Sequence, residues 1–168
     1  QNLQLESWSS ALWTSEALQV VNLTANRLPE VPAEISYLYN LTHLHLNANR
    51  ITVVANELGQ LAALDTLELS FNDLEAVPAD LGYLAALRVL SLGYNRLSGE
   101  ALPDLSALSA LEQLFLAGNP LQHVPGWVGS LPALSQLHLH LVRFLPSFHG
   151  RGAERARPRP RVPRFRAC

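Results

Sequence analysis

Neither lysine nor methionine occurs in the 168 residues, and the one cysteine is Cys168. With no second cysteine there is no disulfide staple of the kind that oxidising compartments favour, so the composition predicts a cytoplasmic, intracellular setting. No hydrophobic run approaches the roughly 18 residues of a membrane span. Nor is there a glycine-rich phosphate loop or a pair of carboxylates at catalytic spacing, and no enzyme and no cofactor is expected. Basic charge is nearly missing from most of the chain. Residues 1–150 hold 13 acidic and 5 basic side chains, a balance of −8, whereas residues 151–168 hold seven arginines and one glutamate, a balance of +6.

What the chain has in abundance is leucine, and it is periodic. The order LxxLxLxxNxL starts at Leu18, Leu41, Leu64, Leu87 and Leu111, and a sixth copy begins at Leu134 and fails where Val142 stands in place of asparagine. A period of 23 or 24 residues is that of a solenoid coil that brings its short strand back beside the previous one. In the third copy Leu67 and Leu69 have the two-residue spacing of a strand with one buried face. Asn72, matched by Asn26, Asn49, Asn95 and Asn119, offers both donors and an acceptor to the peptide groups of a turning backbone, so these five read as a structural ladder. Beyond them Val77, Pro78, Leu81 and Leu84 are matched by Val31, Pro32, Ile35 and Leu38 and by Val124, Pro125, Val128 and Leu131. That three-residue spacing suits a single helical turn opened by proline.

These residues resemble the leucine-rich-repeat superfamily, and the 23-residue form with Val-Pro-x-x-Leu-x-x-Leu is similar to the intracellular Ras-group scaffolds. The resemblance spans residues 18–141 and implies an α/β solenoid: a right-handed superhelix with a concave parallel β-sheet and convex 3-10 or helical turns. It also implies binding of a protein partner, because similar repeats serve as targeting modules in fungal adenylate cyclases, cytoplasmic deadenylases and plant intracellular Ras-group proteins. A regulatory segment of such a multidomain enzyme, or an extracellular receptor ectodomain, are the alternative readings.

Departures and ends carry their own expectations. The second copy has Ala55 in place of proline, and the fourth, around Gly99-Glu100-Ala101, sets two extra residues before Pro103 and drops one after it, which predicts a local change of curvature. Residues 1–17 align as a truncated earlier coil with Leu5, Trp8 and Leu12 inward, so the chain reads as a fragment of a longer array. Two sequons, Asn22-Leu23-Thr24 and Asn40-Leu41-Thr42, belong to the extracellular reading. Residues 142–168 read as an Arg/Pro-rich, disordered tail, and from Arg151 onward it has almost nothing apolar to bury. Nucleic acid, an anionic membrane surface and the acidic solenoid are its conceivable partners. A solvated extension is the reading adopted, since the segment is short and only Phe165 could stack on a base.

Stacking aligns outward positions into columns. The central one reads Asn22, His45, Glu68, Ser91, Phe115 and His138, and at the strand exits come Phe71, Tyr94 and Arg96. Aromatic and arginine side chains are favoured interface anchors. The expected partner site is therefore His45, Glu68, Phe71, Tyr94, Arg96 and Phe115, with mutual packing of Phe71 and Tyr94 as the competing structural role. His43 and His45, two apart on a strand beside Glu68, have a spacing that zinc accepts, but no third nitrogen or sulfur ligand accompanies them and no metal is expected.

Overall fold

A leucine side chain every two or three residues must find a dry neighbour, and the coil achieves this by stacking. The computed structural model describes residues 4–98 and 102–140. Among them run eight strands: β1 Val20–Asn22, β2 Glu30–Val31, β3 His43–His45, β4 Val53–Val54, β5 Thr66–Glu68, β6 Val89–Ser91, β7 Gln113–Phe115 and β8 Gln136–His138. A parallel six-stranded sheet has the order β1-β3-β5-β6-β7-β8. Its register places Val21, Leu44, Leu67, Leu90, Leu114 and Leu137 side by side. Leu44, Leu67, Leu90 and Leu114 are fully buried, and Leu137, in the last strand, is half-buried. This is the solenoid the leucine period predicts.

Across from the sheet, short 3-10 turns cover Ala33–Tyr37, Asn56–Gln60, Ala79–Tyr83 and Gly126–Ser130, each after an extended residue. That residue is Pro32, Ala55, Pro78 or Pro125, and Ala55, at φ −68° and ψ 147°, nearly matches Pro78 at φ −68° and ψ 145°. The missing proline of the second copy therefore leaves the path unchanged, because coil stacking fixes the angle that proline would have preset. Ile35, Leu58, Leu81 and Val128 turn inward with the expected spacing of three. The turns approach closely: a Cβ on Gly59 would lie 2.3 Å from the Asp80 carbonyl oxygen. In the fourth coil Leu102, Leu105 and Leu108 are buried without a 3-10 helix among the described residues. There the Asp104 carboxylate accepts the Ser106 amide at 2.9 Å, which lowers its pKa. Gly99, Glu100 and Ala101, around the two-residue insertion, and the whole tail lie outside the described residues.

Two features depart from expectation. A second parallel pair joins β2 to β4, with Val31 and Val54 buried, where the β-branched stretch Thr52-Val53-Val54 runs level with Glu30-Val31. Leu5 is not an inward residue: it is 47% exposed, while Trp8, Leu12 and Trp13 are half-buried. Within the described residues this coil packs on one face only, and the two indoles, stacked at 5.4 Å, supply its apolar contact.

The ladder asparagines clamp successive coils together. Asn72 donates to the carbonyls of Leu46 and Leu69, both at 3.0 Å, and its Oδ1 accepts the Ile51 amide at 2.9 Å. Asn49, Asn95 and Asn119 repeat this pattern. Half-buried Asn26, whose Oδ1 accepts the Leu5 amide, holds the first described coil. Replacing such a group by an apolar one leaves buried peptide groups without partners, at roughly 1–3 kcal/mol. Asn72→Leu is accordingly expected to lower stability by about that amount, read from the midpoint and slope of denaturant unfolding. Equal midpoints at equal slope would mean the ladder is not energetically coupled to the coils.

Candidate functional site

The residue just before each ladder asparagine has a left-handed backbone: Ala25 at φ 60°, Ala48 at 56°, Phe71 at 58°, Tyr94 at 53° and Gly118 at 70°. Neighbours on both sides impose it. The amides of these five residues donate to Asn47, Ser70, Gly93, Ala117 and His140 carbonyls on the next coil, extending the sheet past its strands, while the asparagine that follows is held by its clamp. The conformation costs a residue with a Cβ roughly 1–2 kcal/mol, and alanine or glycine there keeps side-chain crowding small. Phe71 and Tyr94 are the exceptions, bulky groups in a strained position with their rings projecting at the strand exits.

Those rings stack on each other at 4.3 Å and 7° from parallel, yet Phe71 remains 55% and Tyr94 36% exposed. A pair of this kind contributes about 0.5–1.5 kcal/mol beyond the apolar area it buries. Beside them Phe115 and His138 form a second stack, also at 4.3 Å and 10° from parallel. Between the stacks lies an open concave cleft of about 310 Å³. Its floor is small: Ser70, Ser91, Gly93 and Ala117. A Cβ on Gly93 would be tight, 3.2 Å from the Ala117 carbonyl oxygen and 3.3 Å from Ser70 Oγ, and Tyr94 packs over Gly118. The His140 Nε2 and Tyr94 Oη hydrogen-bond at 3.3 Å at the cleft's edge.

Of the expected site residues, Phe71, Tyr94 and Phe115 meet in this cleft, whereas His45, Glu68 and Arg96 do not line it. The Glu68 carboxylate takes His45 Nδ1 at 2.8 Å and the Asn47 amide at 2.7 Å, and so is held by its own sheet. Arg96 pairs with Asp73 on the preceding coil. At the strand entries Arg88 joins Glu112 at 2.8 Å, and that bond raises the guanidinium pKa. Asn47, His138 and His140 belong to the cleft and escaped selection, although the two histidines stand in the aligned outward columns beside Phe115 and Ala117. His43 and His45 have ring centres 6.1 Å apart, and no group of three His, Cys, Asp or Glu side chains among the described residues is arranged to hold an ion. Ser91 Oγ pairs with Ser70 Oγ at 2.6 Å, with His45 turned to Glu68 instead. Of the sequon asparagines, Asn22 is exposed, and Asn40 donates to the Glu16 carbonyl at 2.8 Å.

A stacked array of short parallel strands and 3-10 turns closed by an asparagine ladder defines the class of solenoid repeat proteins. Within it, this chain is a leucine-rich-repeat protein: leucine-rich-repeat family models match residues 16–74 and 86–108. Solved structures agree. A leucine-rich-repeat protein of Leptospira interrogans has 29% identity and a TM-score of 0.68, covering 85% of this chain and 42% of its own. An internalin of Listeria monocytogenes has 26% identity and a TM-score of 0.66, covering 82% of this chain and 39% of its own. The ectodomain of the plant receptor kinase GASSHO1/SCHENGEN3 from Arabidopsis thaliana, in complex with CASPARIAN STRIP INTEGRITY FACTOR 2, has 31% identity and a TM-score of 0.72. That match covers 80% of this chain and 17% of the receptor's. This chain thus spans less than half the length of each of these structures. No curated protein matches the sequence. Among the described residues no helix is long and apolar enough to cross a membrane.

The packing of the Tyr94 ring over Gly118 can be tested directly. In Gly118→Ala the new Cβ would meet Tyr94 Cδ1 at 2.6 Å on a backbone already at φ 70°. The expected loss is about 1–3 kcal/mol. Part of it should return in a Tyr94→Ala background, giving a coupling of at least ~0.5 kcal/mol in a double-mutant cycle. Strict additivity would show that the ring does not rest on this coil.

Proposed function

We propose that this chain, a leucine-rich-repeat domain of the kind that generally mediates protein–protein interaction, is a non-catalytic interaction scaffold whose concave cleft, between the Phe71–Tyr94 and Phe115–His138 stacks, takes the partner, in an intracellular signalling or regulatory complex. One observation carries the reading: two bulky aromatics sit exposed on a left-handed backbone position that three other coils give to alanine or glycine. Large, stiff aromatic side chains left exposed in this way are favoured interface anchors. Preorganisation supports the same reading, because the clamped sheet leaves little ordering cost to be met on association. The intracellular setting rests on the lack of any cysteine before Cys168. Phe71→Ala, Tyr94→Ala and Phe115→Ala combined are expected to abolish retention of the proteins that the native chain captures from lysate, with circular dichroism unchanged. Undiminished capture would reject this cleft as the partner site.

A second reading, a receptor ectodomain, is favoured by the likeness, at 31% identity, to the plant receptor kinase ectodomain in complex with CASPARIAN STRIP INTEGRITY FACTOR 2. It requires glycan on exposed Asn22 or on Asn40. Expression through a secretory pathway followed by glycosidase treatment should leave the mass unchanged on the scaffold reading, and a mass loss at either asparagine favours the ectodomain.

A further inference from the structure

At the opposite end of the array from β8 lies a second cleft, of about 260 Å³, that the proposed function does not use. Trp8 and Trp13 form its aromatic wall, and Pro29, Pro32, Glu30 and Glu34 line the rest. Trp8 Nε1 donates to the Glu30 carbonyl at 2.7 Å, which pins one indole, and the second stacks on it. Glu6 at the rim is answered by Arg27 at 3.3 Å. Glu30 and Glu34 are exposed and have no ion pair among the described residues. Paired indoles beside uncompensated carboxylates fit one kind of ligand, a proline-rich extended segment that also carries arginine. Aromatic-lined grooves take proline rings of the polyproline II helix, indole faces attract guanidinium groups, and carboxylates bind them by charge-assisted hydrogen bonds.

The chain itself contains such a segment. Residues 157–164 read Arg-Pro-Arg-Pro-Arg-Val-Pro-Arg. Proline fixes its own φ and biases the residue before it to extended backbone, and here Arg157, Arg159 and Val162 each precede a proline. At three residues per turn, Pro160 and Pro163 fall on one edge of a polyproline II helix, and Arg161 and Arg164 on the next. We propose that Pro160 and Pro163 dock against Trp8 and Trp13 within the same chain, with Arg161 and Arg164 on Glu30 and Glu34. Charge favours it, since the +6 of residues 151–168 faces the −8 of residues 1–150. Reach permits it: β1 and β8 are five strand steps apart, about 24 Å, and residues 141–156 extend to about 50 Å.

Cys168 is the one thiol and so takes a single label. In the full chain with Trp127→Phe, a dansyl acceptor on Cys168 is excited only from Trp8 and Trp13. Energy transfer is expected to be independent of protein concentration. It should be lost in ~1 M salt, where the screening length falls to about 3 Å, in Glu30→Gln/Glu34→Gln, and in Arg161→Gln/Arg164→Gln, at an unchanged thermal midpoint. Transfer that survives both double substitutions, or that is absent from the start, overturns the proposal. Transfer that rises with concentration assigns the segment to a second copy and overturns docking within the chain.

Discussion

The interaction on which this structure depends is the side-chain amide of the ladder asparagine. A coil of 23 residues reverses direction with peptide groups facing inward among leucines, where water cannot reach them. Asn49, Asn72, Asn95 and Asn119 each give two N–H bonds to carbonyls, one on their own coil and one on the coil before, and accept an amide of the coil before. Leucine burial supplies most of the drive to stack, but it is non-directional. The amide sets the register, and with it which side chains share a column.

That register creates the strained position beside each asparagine and so links the frame to the surface. Since the amide of the left-handed residue is bonded to the next coil, its backbone is set whatever side chain it carries. Phe71 and Tyr94 are thereby aimed outward, where they wall a cleft whose floor of Ser70, Gly93 and Ala117 keeps it open.

Much of the frame was legible in the residues, because burial and period are properties of composition along the chain. The leucine spacing located the strands, and Pro32, Pro78 and Pro125 located the convex turns. Legibility failed where neighbours across coils decide. No glycine pattern marks the left-handed positions, which hold Ala25, Ala48, Phe71, Tyr94 and Gly118, since coil-to-coil hydrogen bonds impose the conformation without one. The pairing of β2 with β4 depends on two valine-containing stretches running level. Among the site residues, the three aromatics meet in the cleft, while Glu68 is occupied by His45 and Asn47 and Arg96 by Asp73, partners set by coil geometry and side-chain reach. His138 and His140 stood in the right columns, but nothing in their type tells a cleft wall from an exposed surface.

The clamp also has a direction. Asn49 holds Leu28 and Leu23 of the coil before it, Asn72 holds Ile51 and Leu46, and so on along the array. Each coil is therefore fastened by its successor. On the ribosome, where synthesis runs from the N-terminus, a newly made coil stands with its turn unfastened until the asparagine some 21 residues further along has emerged. Order in such a chain trails synthesis by one repeat, and the most recently made coil is always the open one.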